Sequence, residues 1–168
     1  MFDEISPRYD FLNHLLSFGL DIHWRNHLAP FLPKRSSLKI LDLATGTADA
    51  LISLCQHNRN VYAGSGIDLA DKMLAIGREK IKKRGLTRKL TLTHGDAQKI
   101  PFEDNTFDAA AIAFGIRNTD NPSQVLTEML RVLTKKGRAI ILEFSLPENK
   151  ILRAHYSRLE RCFVLFWF

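Results

Sequence analysis

The chain has 168 residues, 45% of them hydrophobic, which suits one domain with a substantial core and argues against several domains. Lysine and arginine number 24 against 18 acidic residues, a formal charge of +6, but the basic residues are scattered. The modest cluster Lys80, Lys82, Lys83 and Arg84 reads as a solvated helix end, so no nucleic-acid partner is implied. Cys55 and Cys162 belong to no CxxC or Cys/His array, which excludes a disulfide framework and a zinc site and points to a reducing compartment. No basic stretch followed by an apolar run opens the chain, and no apolar segment reaches the roughly 18 residues of a membrane span. A soluble, cytoplasmic protein is expected, with peripheral contact at the inner face of a membrane left open.

Residues 5–32, "ISPRYDFLNHLLSFGLDIHWRNHLAPFL", form an aromatic-rich segment read as helical, either a lid over the site or a packing helix. "LKILDLA" (38–44) reads as a buried strand, followed by a helix with Ala50, Leu51, Leu54 and Cys55 at helical spacing. "VYAGSGIDLA" (61–70) is the second strand. The helix from Asp71 to Arg84 carries Asp71 as its cap and Gly85 as its stop. "KLTLTHGDA" (89–97) and "FDAAAIAFGI" (107–116) are the third and fourth strands. Asn121-Pro122 opens a helix whose apolar face is Val125, Leu126, Met129, Leu130 and Leu133, stopped by Gly137, before a fifth strand "RAIILEF" (138–144).

Strands alternating with helices predict an open, doubly wound, Rossmann-like α/β sheet with right-handed crossovers. The whole of 1–168 reads as one domain: an N-terminal helical segment over 1–34, a core over 38–147 and a C-terminal helix over 148–168. In such sheets a ligand sits beyond the carboxyl ends of the strands, at the topological switch point.

That rule directs attention to "LDLATGTADA" (41–50). Neither alignment of its glycine satisfies GxGxxG, and no GxxxxGK[ST] string occurs, so dinucleotide and P-loop readings lose their support. What remains is a strand, a tight turn at Gly46 and three successive strand ends marked by Asp42, Asp68 and Asp96. A carboxylate at Asp68 can accept from both hydroxyls of a ribose, Asp96 can accept from an exocyclic amine, and Ile67, Leu69 and Met73 offer apolar surface to a purine. Taken singly, each aspartate reads equally well as a turn or cap residue.

These segments resemble class I S-adenosylmethionine-dependent methyltransferases, and more closely the ubiquinone/menaquinone biosynthesis C-methyltransferases of the UbiE/MenG type. The matching strings are "MFDEISPRYDFLNHLLSFGLDIHWR", "LDLATGTAD", "GIDLADKML", "GDAQKIPFEDNTFD", "AFGIRN" and "EMLRVLTKKGRAIILEFSLP", covering most of the chain from Met1 to Pro147. The resemblance implies S-adenosylmethionine as cofactor. The implied cofactor-binding residues are Asp42, Thr45, Gly46, Thr47, Asp68, Leu69, Met73, Asp96, Ala97 and Ala113, with Asp68 on the ribose, Asp96 and Ala97 on the adenine and the turn 45–47 on the methionine portion. The implied acceptor is a ring carbon of a lipophilic, polyprenylated quinol, either demethylmenaquinol or a benzoquinol of the ubiquinone pathway. No metal is needed for such a transfer, which rests on positioning and desolvation.

Ring carbon becomes nucleophilic as the phenolic proton leaves, which makes Arg117 the first catalytic candidate and Asn118 a second. Tyr9, Asp10, His23 and Trp24 are candidates for lining or covering the acceptor. His14, His23 and His94 are available as bases, and none is singled out by spacing. The chain departs from the family pattern at Ala48, usually glycine, and at Ala113, often a small hydroxyl residue. One methyl at Ala48 is tolerable if its φ is negative, and Ala48→Gly is expected to tighten cofactor binding. Relatives also continue past Phe168 with two more strands, which this chain is expected to lack.

The tail "ILRAHYSRLERCFVLFWF" reads as a core-packing helix, with contact to a membrane surface or prenyl tail as the alternative and self-association as a consequence of an uncovered sheet edge. Two further functions stay open: a class I methyltransferase acting on another small molecule, and a shortened, catalytically silent cofactor-binding domain.

Overall fold

The computed structural model describes residues 20–145 and 162–167. Tyr9, Asp10, His14 and the greater part of the expected N-terminal segment lie outside them. The described chain opens with α1 (Leu20–Asn26) and a 3-10 turn at Ala29–Phe31. It continues through β1 (Leu38–Leu43), α2 (Asp49–His57), β2 (Val61–Asp68), α3 (Asp71–Lys83), β3 (Leu90–His94) and β4 (Phe107–Ala113). After a 3-10 turn at Ile116–Asn118 come α4 (Pro122–Val132), β5 (Leu133–Ser145) and β6 (Cys162–Trp167).

The sheet order is β3-β2-β1-β4-β5-β6, with the first five strands parallel and β6 antiparallel to β5. The doubly wound, Rossmann-like α/β expectation holds. Apolar residues on the two faces explain the layering: Leu38 and Ile40 pack beneath α1, α2 and α3, while Leu41, Leu43 and Ile112 pack beneath α4. Each of these five side chains is essentially fully buried, contributing about 1.5–3 kcal/mol.

Three elements differ from the sequence reading. Cys162–Trp167 is a strand paired from Ser145↔Cys162 to Ile140↔Trp167, and not the end of a helix. The run Cys-Phe-Val-Leu-Phe-Trp has no polar residue to mark a helical face, and its aromatic content suits a strand beside β5. Leu133 begins β5 instead of closing the preceding helix, because its side chain continues the apolar stripe of α4 while its backbone is already extended. Asp71 is the first residue of α3, and the cap position is Ala70, whose methyl side chain makes no hydrogen bond. The Asn121 cap is as expected, accepting from the Gln124 N–H at 3.1 Å.

Candidate cofactor site

At the centre of the sheet β1 lies between β2 and β4, and chain connections leave in opposite directions on its two sides. Its last residues deliver the turn Ala44–Ala48 into that switch point. Ala44, Gly46 and Ala48 have φ of 49°, 53° and 66°, so alternate residues of the turn adopt left-handed backbone although only one is glycine. The condition under which the Ala48 methyl is tolerable, a negative φ, is therefore not met.

Glycines facing the turn make room for its two methyl groups. A Cβ placed on Gly115 would stand 2.6 Å from that of Ala44, and one on Gly77 would stand 3.3 Å from that of Ala48. The glycine-poor turn is thus built by moving glycine to the opposing surface.

Asp68, at the end of β2, fixes the turn from across the sheet. Its Oδ2 accepts from the Gly46 N–H and its Oδ1 from the Ala70 N–H, both at 2.8 Å. Each carboxylate oxygen retains a lone pair for a ligand hydroxyl. Past β3, Asp96 Oδ1 accepts from the Gln98 N–H at 2.8 Å, closing a small turn that presents Ala97. Arg131 anchors the following loop by donating to the carbonyls of Ile100 and Phe102 and to both Glu128 oxygens, while Glu128 accepts from the Ile100 N–H.

Between these loops lies a cavity of about 190 Å³. One wall carries Ala44, Gly46, Asp68, Leu69, Met73, Asp96 and Ala97, and the other Ala113, Phe114, Gly115, Asn118, Thr119 and Asp120. Seven of the ten expected cofactor residues and Asn118 are brought together here. Among the described residues the lining includes three carboxylates, Asp68, Asp96 and Asp120, and no Lys, Arg or His, in a chain whose formal charge is +6.

The other three expected cofactor residues are support, not lining. Asp42 is buried in β1, with Oδ2 accepting from the Thr45 hydroxyl at 2.6 Å and Oδ1 making no hydrogen bond among the described residues. Gly66 makes space for this pair, since a Cβ there would meet the Thr45 side chain at 2.8 Å. Burial pushes the Asp42 carboxyl up to about 7, against the downward pull of the Thr45 hydrogen bond and the Arg25 charge. Thr47 is also buried, its hydroxyl donating to Asp49 Oδ2 at 3.3 Å and accepting from Lys80 Nζ at 2.8 Å.

The residues expected at the acceptor are dispersed. Arg117 does not line the cavity, and its Nη1 donates to Glu143 Oε1 at 2.7 Å. His23 is exposed and its ring lies 4.1 Å from that of His27, while Trp24 packs against the core with its ring 6.2 Å from that of Phe114. His94 is exposed, with Nδ1 3.2 Å from Asp71 Oδ1. Phe114, Gln98, Thr119 and Asp120 were missed as site residues. Phe114 stands within "AFGIRN", but its run of apolar neighbours reads only as strand, and nothing in the string reveals its φ of 59°.

No helix among the described residues is long and apolar enough to cross a membrane. Comparison with known proteins agrees with the geometry. The chain is 43% identical over 157 residues to ubiquinone/menaquinone biosynthesis C-methyltransferase UbiE of Geobacter sulfurreducens, covering 94% of this chain and 61% of that protein. It is 44% identical over 153 residues to demethylmenaquinone methyltransferase of Bacteroides fragilis, covering 89% of this chain and 60% of that protein. It thus spans about three fifths of the length of these curated relatives. A crystal structure of a SAM-dependent methyltransferase from Aquifex aeolicus shares the fold, with a TM-score of 0.64 at 24% identity over 75% of this chain and 66% of that one. The model of the ubiE/COQ5 methyltransferase family matches residues 1–166, and the chain belongs to that family.

Proposed function

We propose that the chain binds S-adenosylmethionine in the cavity at the ends of β1, β2 and β4 and methylates a ring carbon of a polyprenylated quinol, demethylmenaquinol or its benzoquinol counterpart. The observation that carries the cofactor reading is the cavity's charge: among the described residues, three carboxylates and no basic side chain line it, in a chain of formal charge +6. That lining disfavours phosphates and suits a ligand bearing a sulfonium and an ammonium group. Asp68 has lone pairs for a ribose, Leu69 and Met73 offer apolar contact, and Asp96 with Ala97 borders the place for a base. The names of the relatives, a ubiquinone/menaquinone biosynthesis C-methyltransferase and a demethylmenaquinone methyltransferase, support the acceptor.

When bound, the cofactor supplies a methyl group already activated on a cationic sulfur. The protein's work is then to hold it, exclude water and orient the acceptor. Gly46, clamped to Asp68, fixes the donor side. Asn118, which lines the opposite wall, orients the acceptor ring in this reading. Arg117, held by Glu143 just outside the cavity, contributes positive charge near the phenolic oxygen from which a proton departs. A peripheral membrane contact and self-association belong to this reading as routes by which a lipid acceptor is reached.

Calorimetric titration with S-adenosylmethionine, followed by mass spectrometry of reduced demethylmenaquinone, tests both halves. Binding with addition of a single methyl is the expected outcome. Folded protein that does not bind the cofactor refutes the whole reading, and binding without turnover refutes the transfer.

A further inference from the structure

Helix α1 touches both sides of the turn system that frames the cavity. On one side the Trp24 ring lies 6.2 Å from the Phe114 ring at 58°, and the Arg25 guanidinium stands 5.8 Å from the centroid of that same ring. On the other side Arg25 Nη1 approaches Asp49 Oδ2 to 3.9 Å, and Lys80 Nζ holds Asp49 Oδ1 at 2.8 Å. Asp49 is the first residue of α2, next in sequence to the Ala44–Ala48 turn. The Arg25 side chain is only 13% exposed, so these contacts are formed largely out of water.

Phe114 is an unusual residue to find at this junction. It lines the cavity, and its φ of 59° is one that a bulky side chain rarely adopts. Its N–H is tied to the Leu142 carbonyl at 2.7 Å, which fixes the backbone, and its ring is gripped by α1. Backbone of this kind persists where its surroundings over-determine it, and such places cluster at ligand clamps.

The geometry points to Arg25 as a positioning residue: it holds the Phe114 ring at the cavity wall and, through Asp49, ties that wall to the helix following the Ala44–Ala48 turn. The inference rests on the reading of the cavity as the S-adenosylmethionine site. Trp24, packed on the same ring, then reports the state of the cavity. A ligand that contacts Phe114 shifts the ring lying against the indole, whereas a helix that only covers the core leaves Trp24 indifferent to the ligand.

The experiment uses the full chain with Trp167→Phe, which leaves Trp24 as the remaining one of its two tryptophans. The probe is S-adenosylhomocysteine, which binds without transferring a group, followed by calorimetry and by Trp24 emission. Emission is expected to change with a midpoint equal to the calorimetric Kd. Arg25→Ala is expected to weaken binding about fivefold and shrink the emission change, with Arg25→Lys restoring part of both. Phe114→Leu, which removes a ring lining the cavity, should abolish the emission change and also weaken calorimetric binding, and circular dichroism identifies any variant that has lost its fold. Calorimetric binding with unmoved Trp24 emission, or folded Arg25→Ala binding as tightly as its parent, overturns the positioning role and leaves the cofactor reading standing. Absence of calorimetric binding in the folded parent overturns the cofactor reading, and the positioning role with it.

Discussion

Two loops leave neighbouring central strands and meet across the cavity, yet they are held in opposite ways. The loop after β1, Ala44–Ala48, is fixed by hydrogen bonds to buried or half-buried groups: Thr45 to Asp42, Gly46 to Asp68, and Thr47 to Asp49 and Lys80. The loop after β4, Phe114–Asp120, keeps its side chains nearer to water and is steadied by Arg117 on Glu143 and by α1 on Phe114. The loop after β1 is thus pre-organised by side chains of the core, while the loop after β4 is tied to the sheet through its first residue, the Phe114 N–H on the Leu142 carbonyl, and otherwise held by more exposed contacts.

The largest expected effect comes from cutting the clamp on the donor side. Asp68→Ala removes the acceptor for the Gly46 and Ala70 N–H groups and the proposed partner of two ribose hydroxyls. Hydrogen bonds to charged groups contribute about 1.5–3 kcal/mol each, so cofactor affinity should fall by about a hundredfold or more in calorimetry. Unchanged affinity would remove the pre-organised side of the comparison.

A second intervention presses the two loops together. Gly115 has φ of −105°, open to any residue, so Gly115→Ala costs nothing in backbone strain and acts only through its Cβ, which would fall 2.6 Å from that of Ala44. Overpacking of this kind costs about 1–3 kcal/mol. Ala44→Gly should rescue it, and denaturant unfolding of the four proteins in the cycle measures the coupling. Additive effects would show that the loops do not meet as described.

Proton linkage separates the loops again. The unfolded Asp42 carboxyl titrates near 3.8 and the folded one near 7, so the folded protein holds this proton more tightly. The group therefore contributes stability that is complete below about pH 4 and is lost as pH rises through about 7. Thermal unfolding should show Tm declining between about pH 4 and about pH 7 and levelling off above, with Asp42→Asn flattening the decline. An equally steep decline in the variant would place the titration elsewhere.

Much of this contrast was readable beforehand. The five parallel strands announce themselves as apolar runs, and Asp68 and Asp96 stand out because strand ends are where polar groups meet a ligand. The directions of Thr47 and Arg117 were not readable, since each is decided by a partner distant in sequence: Lys80 for one, Glu143 for the other. The strand at Cys162–Trp167 was hidden because an unbroken apolar run carries no period. Left-handed backbone at Ala44, Ala48 and Phe114 was hidden for a different reason. Glycine is the usual signature of such backbone, and here the glycines that permit two of these residues, Gly115 and Gly77, lie on other elements.

Ala48 gives the smallest expected effect and the finest test. Its φ of 66° is costly for alanine, roughly 1–2 kcal/mol, and Ala48→Gly relieves that strain. The same change removes a fully buried methyl group, about 0.8 kcal/mol, and adds glycine's extra entropy loss on folding, about 0.5–1 kcal/mol. These effects nearly cancel, so stability should stay within about 0.5 kcal/mol of the parent in denaturant unfolding. Cofactor affinity should stay within about twofold, because the Ala48 methyl lies toward Gly77 and outside the cavity lining. The structure thus replaces the tighter binding that sequence reasoning expects with near-neutrality. Calorimetry showing a tenfold gain for Ala48→Gly would mean that the methyl reaches the ligand after all, and that the turn at Ala44–Ala48 moves when the cofactor binds.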